Sequence, residues 1–312
     1  MEVPGPKNGS TLDGRRLLLK SVTAIPLSVI APAMTSKVVA QSTTNRARRA
    51  HIKLSCNLYS FNKPLRDRQM SLDEVLEFCA DLGFDAVDPT AYYFPGYPEL
   101  PDDSYVYRIK RKAFRLGLDI SGTGVRNDFT IADPVRRKAE VDLVKRWVGF
   151  SAKLGAPVLR VFSGRGVPPE KTRDEVNLWL AEALRECTEY ASRFGVMIVI
   201  QNHADFIETA DHVLRLLADV KSEWFAVNLD IGSFRSGDSY AEIARLAPHA
   251  ATWQLKENLF LNGKEVKTDV RRIVSIVREA GYRGYLPIET LGEGDPRVKV
   301  PRFLDEVRAA LA

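Results

Sequence analysis

The 312-residue chain is 45% hydrophobic and 27% charged, with 20 Gly and 17 Pro; this composition is neither disordered nor fibrous, and the length suffices for one large core or two small ones. Three cysteines (Cys56, Cys79 and Cys187) without metal-knuckle spacing exclude a zinc ribbon and a dense disulfide framework, and four histidines are too few for a His-rich multinuclear metal site. Of the formal charge of +5, residues 1–40 carry +3, so the remainder holds only +2 and gives no sign of a nucleic-acid-binding surface.

In chain order, Arg15-Arg16-Leu17-Leu18-Leu19-Lys20 opens a mostly apolar run from Ser21 to Ala33. The run is shorter than the roughly 20 residues of a membrane-spanning helix, and Pro26 and Pro32 interrupt it. Paired arginines, a modest apolar stretch and small residues at its exit resemble a twin-arginine export signal. Cleavage after Ala40 or after Ala33 fits the exit pattern. The expectation is an export signal over 1–40 and a flexible polar lead-in over 41–50. The mature chain would then start near Gln41 and be periplasmic or secreted, without stable membrane insertion.

From residue 51 onward short β-rich runs alternate with longer amphipathic stretches. The runs are KLSCN (53–57), DAVDP (85–89), LDISG (118–122), PVLRVF (157–162), VMIVIQ (196–201), FAVNLD (225–230), TWQLK (252–256) and YLPIE (285–289). Between them lie helical signals. Ser71 and Glu74 form a capping box ahead of Leu72, Val75, Leu76 and Cys79, and Asp133-Pro134 opens a helix with Val141, Val144, Trp147 and Val148 on one face. A third helix is predicted over 170–194 with Leu178, Ala181, Leu184 and Cys187 as its apolar stripe. Gly83, Gly117, Gly155, Gly195 and Gly281 stand where helices should stop. Strands alternating with helices argue for a parallel sheet, and eight such units argue for a single-domain α/β fold over 51–312, the (β/α)8 TIM barrel. A doubly wound open sheet is the alternative, but no G-x-G-x-x-G follows the first strand.

In such a barrel chemistry sits where strands finish. Polar residues at or just past those ends are Asn57, Asp88, Arg126, Asn127, Arg160, Gln201, Asn202, His203, Asp230, Gln254, Lys256, Glu257 and Glu289. Alternation along the strands turns Gln201, Asp230, Gln254 and Glu289 toward the barrel axis, with Lys256 on the same face as Gln254. Two carboxylates and two amide oxygens converging on one point suit a hard divalent cation. Each residue also has a plainer reading. Buried glutamines are commonly satisfied amides, Lys256 can simply bridge Asp230 or Glu289, and Arg160 must either pair with Asp88 or Glu289 or hold an anionic or hydroxyl-rich substrate. The aromatic segment Tyr92-Tyr93-Phe94-Pro95-Gly96-Tyr97-Pro98 suits a carbohydrate lid or a packed rim.

Four motifs carry a resemblance over roughly 51–312: QNH after the fifth strand, NLDIGS after the sixth, WQLKEN on the seventh and PIE on the eighth. They are similar to those of the xylose isomerase-like barrel superfamily, the sugar phosphate isomerase/epimerase group. The resemblance implies a divalent ion, Mg²⁺, Mn²⁺ or similar, at the positions of Gln201, Asp230, Gln254 and Glu289. Here the first Glu and the His of the usual set are glutamines, and Ser233 replaces a further His. Since Gln201 cannot take a proton, two-base epimerisation is doubtful and one-base chemistry through Glu289 is favoured. His203 or Lys256 would be the further proton carrier, giving Glu289, His203 and Lys256 as the catalytic candidates. Asn57, Asp88, Arg126, Asn127, Arg160, Asn202 and Glu257 are the substrate-binding candidates. The expected activity is that of an exported metal-dependent isomerase, epimerase or lyase on a non-phosphorylated sugar, keto-sugar or cyclitol. The partner is that small molecule; nucleic acid is not expected, and a homodimer is compatible. The competing reading is a non-catalytic sugar-binding barrel with a degenerate metal site. A DNA-repair endonuclease is disfavoured by the shortage of histidines.

Overall fold

The computed structural model describes residues 51–203 and 206–312; the expected export signal and lead-in over 1–50 lie outside the described residues. The strands are β1 (Ile52–Asn57), β2 (Ala86–Asp88), β3 (Asp119–Ile120), β4 (Thr123–Gly124), β5 (Val158–Val161), β6 (Met197–Gln201), β7 (Phe225–Asp230), β8 (Ala250–Lys256), β9 (Asn258–Leu261), β10 (Lys264–Lys267) and β11 (Gly284–Glu289). The helices are α1 (Asn62–Arg66), α2 (Leu72–Asp81), α3 (Asp103–Arg115), α4 (Pro134–Leu154), α5 (Arg173–Ser192), α6 (Ala210–Val220), α7 (Ser239–Leu246), α8 (Val270–Glu279) and α9 (Pro296–Leu311).

The main sheet runs β3-β2-β1-β11-β8-β7-β6-β5-β4, and all its pairings are parallel. Its two outer members are consecutive in the chain. One half of the third stave, β3, bonds to β2, and the other half, β4, bonds to β5. The barrel therefore closes through a stave broken at Ser121-Gly122. Gly122 permits the break, since a Cβ there would sit 2.8 Å from Val158 Cγ2. This is the eight-stave α/β barrel expected from the alternating pattern.

Local signals act as anticipated. The Ser71–Glu74 capping box forms in full, and Asp133 accepts from the backbone N–H groups of Val135 and Arg136. Helix α4 ends at Gly155, whose φ of 88° lets the chain turn left-handed. The stripe of α5 differs from its sequence reading: Leu178 is 59% exposed, whereas Val176, Leu180, Leu184 and Cys187 face the core. The helix's phase is set by Val176 and Leu180, one turn apart, rather than by Leu178. The three cysteines are buried free thiols. Among the described residues no helix is long and apolar enough to cross a membrane.

The β9–β10 hairpin is an addition to the barrel. Its turn is Asn262-Gly263, both at positive φ (50° and 79°), the geometry of a two-residue hairpin loop. It follows β8 directly and carries Phe260, on which Arg235 stacks with its guanidinium carbon 3.9 Å from the ring centre.

Candidate active site

Strand register assembles the site. In a parallel sheet, paired residues on adjacent strands project to the same side. Asp230 pairs with Gln254, and Glu289 pairs with Lys256. Gln254 and Lys256 are two apart on β8, so all four side chains share the barrel's inner face. Gln201, at the end of β6, joins them. Its Nε2 donates to Asp230 Oδ2 at 2.8 Å and to Gln254 Oε1 at 2.7 Å. Those two neighbours are acceptors, so the amide's orientation is dictated, and its Oε1 is left buried without a hydrogen bond.

Asp230 is fully buried and saturated. Oδ1 accepts from Gly232 N at 2.9 Å; Oδ2 accepts from Gln201, from Ser233 Oγ at 2.7 Å and from Lys256 Nζ at 2.8 Å. Burial alone would raise its pKa, but the Lys256 ammonium, the Ser233 hydroxyl and the Gln201 amide outweigh it and hold the carboxyl below its usual range. Lys256 also lies 3.2 Å from Glu289 Oε2. Burial works to lower the lysine, and the two carboxylates overcome it, so the ammonium is held well above the ordinary lysine range. Glu289 behaves oppositely: burial raises its pKa, and Lys256 only partly counters this. The contact with Lys256 is not aligned as a hydrogen bond, so Oε2 accepts none.

With Asp230 itself fully buried, Gln201, Gln254, Lys256 and Glu289 line a cavity of about 590 Å³, within the ~300–1,000 Å³ range of small-molecule sites. Asn57, Arg126, Asn127, Arg160, Gln201, His203, Gln254, Lys256 and Glu289 line it, as do Tyr59, Tyr92, Phe162 and Ser233. Arg160 is 6% exposed and donates to Val125 O at 2.6 Å and to the Tyr92 hydroxyl at 2.7 Å. Among the described residues no carboxylate lies within 4 Å of it, so neither of the ion pairs expected from the sequence forms, and it faces the cavity instead. His203 lines the cavity with its ring centre 5.0 Å from that of Phe162. Arg126 lies over the ring of Tyr92, and Tyr97 ties the aromatic segment to the same loop through a 2.9 Å bond from Arg126 N to its hydroxyl.

Three substrate-binding candidates lie elsewhere. Asn202 is spent on the backbone of Asp230, donating to its carbonyl and accepting from its N–H, both at 2.8 Å. Glu257 turns away to Lys299 at 3.1 Å and Arg302 at 3.6 Å, because β8 ends at Lys256 and the chain enters the hairpin. Asp88 accepts from Asn57 Nδ2 at 2.9 Å and stays outside the cavity lining. Asn127 touches the cavity, but its amide pairs with both the N–H and the carbonyl of Phe162, which makes it a clamp between loops. Sequence reasoning missed Tyr59, Phe162 and Arg235. Tyr59 and Phe162 follow strand ends by one or two residues, a signal hidden by their apolar character; Arg235 becomes a lining residue only in the fold.

A divalent ion does not fit this arrangement of the expected ligand set Gln201, Asp230, Gln254 and Glu289. Both oxygens of Asp230 are already engaged, Gln201 turns its N–H groups rather than its oxygen toward its neighbours, and the Lys256 ammonium sits against both carboxylates.

Residues 76–307 match the xylose isomerase-like TIM barrel family. No curated protein sequence matches the chain. Among solved structures it is similar to D-psicose 3-epimerase from Clostridium cellulolyticum H10, solved with D-tagatose. The TM-score is 0.68 at 17% identity, covering 83% of this chain and 99% of that one. It is also similar to 3-keto-D-glucoside 4-epimerase from E. coli, with a TM-score of 0.65 at 13% identity, over 83% of this chain and 99% of that one. A third is a xylose isomerase-like TIM barrel protein from Mycobacterium smegmatis in complex with magnesium, with a TM-score of 0.60 at 18% identity, over 85% and 99% of the two chains. At these identities the likeness establishes the fold.

Proposed function

Because the chain belongs to the xylose isomerase-like TIM barrel family, we propose that its cavity binds a free sugar, keto-sugar or cyclitol and moves a proton on the carbon next to a carbonyl. The supporting observation is Glu289: a carboxylate on the cavity floor, 3% exposed, with an oxygen that accepts no hydrogen bond and a pKa pushed up by burial. A base needs a pKa drawn toward the working pH, and burial moves Glu289 in that direction against the opposing Lys256 ammonium 3.2 Å from Oε2. The solved neighbours named for sugar epimerases lend the substrate class.

Glu289 takes the proton from the α-carbon, and the C–H electron pair moves into the new C=C bond as the carbonyl oxygen becomes an enediolate oxygen. Lys256, charged and aimed into the cavity, stabilises that oxygen. Isomerisation follows when the former carbonyl carbon receives the proton from Glu289 while the α-hydroxyl passes its own proton to the original carbonyl oxygen, so that the C=O bond re-forms at the α-carbon. β-Elimination follows when an oxygen substituent leaves with its electron pair and His203 protonates it. Symmetric two-base epimerisation is disfavoured, since the strand-end position that would supply a second base holds Gln201, and an amide cannot accept a proton. Asn57 and Arg160 hold hydroxyls, and Tyr92 offers a ring edge or face to the sugar.

The export reading completes the proposal, since sugars outside the cytoplasm are rarely phosphorylated. Amino-terminal sequencing of the native protein tests that part: a chain beginning near Gln41 supports it, and one retaining Met1 overturns it. The catalytic part is tested by incubating the protein with a panel of aldoses, ketoses and 3-keto-glycosides in D₂O. Deuterium entering the carbon beside the carbonyl, and lost in Glu289→Gln, is expected. Sugar binding without exchange across the panel would favour the non-catalytic barrel.

A further inference from the structure

We propose that the ε-ammonium of Lys256 is the resident cation of this site, doing without a divalent ion what an ion would do between Asp230 and Glu289. The inference rests on the proton-transfer reading above and concerns how the developing oxygen charge is met.

Three independent observations carry it. First, Nζ lies 2.8 Å from Asp230 Oδ2 and 3.2 Å from Glu289 Oε2, bridging the carboxylates of two strands that are not adjacent. Two buried carboxylates facing one point repel each other unless a positive charge lies between them. The ammonium supplies it and leaves the trio with a net charge of −1.

Second, the fold makes room for this side chain. A Cβ on Gly232 would meet Lys256 Cδ at 2.7 Å, so the aliphatic stem runs against bare backbone. Gly232 N also donates to Asp230 Oδ1, and Ser233 Oγ to Oδ2. The turn after β7 thus cradles the lysine and fixes its carboxylate partner together.

Third, the remaining residues suit an ammonium better than a metal. Gln201 presents Nε2–H groups to Asp230 and to Gln254 Oε1, an arrangement that repels a metal ion and tolerates a neighbouring ammonium. Of the ammonium's three N–H groups one donates to Asp230 Oδ2, and the charge itself lies in ion-pair contact with Glu289 Oε2. An N–H not committed to Asp230 remains for an oxygen in the cavity, which Lys256 lines with its side chain 13% exposed. A sugar carbonyl oxygen held there receives a charge-assisted hydrogen bond that strengthens as the enediolate forms.

The experiment is an Mn²⁺ titration followed by electron paramagnetic resonance on the full chain, with elemental analysis after dialysis against EDTA. The wild type should hold no stoichiometric Mn²⁺. Lys256→Met keeps the stem, removes the charge and leaves two facing carboxylates. It should bind one Mn²⁺ per chain on the order of 100-fold more tightly than the wild type. One Mn²⁺ per chain in the wild type, or a folded Lys256→Met chain indifferent to Mn²⁺, would overturn the proposal. If Lys256→Met does not fold, the wild-type titration decides alone. These readouts are of binding, so they stand apart from the Glu289→Gln exchange assay: a metal-loaded wild type that still exchanges deuterium sinks this inference and spares the function.

Discussion

Gln201 Nε2 sits 2.8 Å from Asp230 Oδ2, and this one contact decides which face of the Gln201 amide meets its neighbours. Because Asp230 and Gln254 both offer oxygens, only a donor serves at this position. A glutamate there could donate only while protonated. Gln201→Glu should therefore have a folded-state pKa above the ordinary carboxylate value, making it more costly to fold as pH rises. Its stability relative to wild type should be near unchanged at pH 4 and fall by about 2–4 kcal/mol by pH 8, a shift of roughly two to three pKa units. Urea unfolding at the two pH values measures this, and a pH-independent difference would show that Asp230 does not sense the new carboxylate.

Gly124 lies beneath Arg160: a Cβ on it would come within 2.6 Å of Cζ and Nε and 2.7 Å of Nη2. Gly124→Ala should push the guanidinium off Val125 O and the Tyr92 hydroxyl while leaving an ordinary backbone in place. If Arg160 holds a substrate hydroxyl, KM rises about tenfold, the size of one lost hydrogen bond of about 1.4 kcal/mol, and kcat changes less. Steady-state kinetics on the sugar identified by the exchange panel separates the two constants. An unchanged KM would confine Arg160 to a structural role.

Glu289→Gln should lower kcat/KM by about 10²–10⁴, the usual worth of a positioned general base. Since burial raises the Glu289 pKa, the wild-type rate should climb with pH along a limb lying above the ordinary glutamate value of 4.5, as the base becomes ionised. The Gln variant should lack that limb. A limb that survives in Glu289→Gln belongs to another group, and His203→Gln is the next variant to profile.

Much of this was legible in the chain because repetition and alternation are short-range properties. Val199 and Gln201, or Gln254 and Lys256, share a face by the two-residue period alone, so convergence of the strand ends needed no coordinates. The bridge from Lys256 to Asp230 or Glu289 is anticipated from the shared face, and it forms to both; that it reaches both at once depends on register, since Lys256 and Glu289 are 33 residues apart and the β8–β11 pairing sets them side by side. The β6–β7 register likewise commits Asn202 to the Asp230 backbone, and the packing of α9 commits Glu257 to Lys299, beyond any reading of polar residues near strand ends. The β9–β10 hairpin did have a local signal, Asn262-Gly263 between alternating residues, but it was masked by the adjoining strand β8.

Asp88 offers a stability test that does not depend on the reaction. Burial pushes its carboxyl up to about 6, with Glu289 adding to the rise and Arg160 and Asn57 opposing it. A carboxyl whose folded pKa exceeds its unfolded one favours the folded state while protonated, and this contribution fades as pH climbs from about 4 through 6. Above pH 6 the ionised group costs about 2–3 kcal/mol, from a shift of roughly two units. Asp88→Asn keeps an oxygen for the 2.9 Å bond from Asn57 Nδ2 and cannot ionise. It should therefore raise stability by about 2 kcal/mol at pH 7.5 and leave it nearly unchanged at pH 4. Urea unfolding of the two proteins at both pH values makes the comparison. A gain of equal size at pH 4 and pH 7.5 would mean that Asp88 titrates normally and that its surroundings solvate the charge.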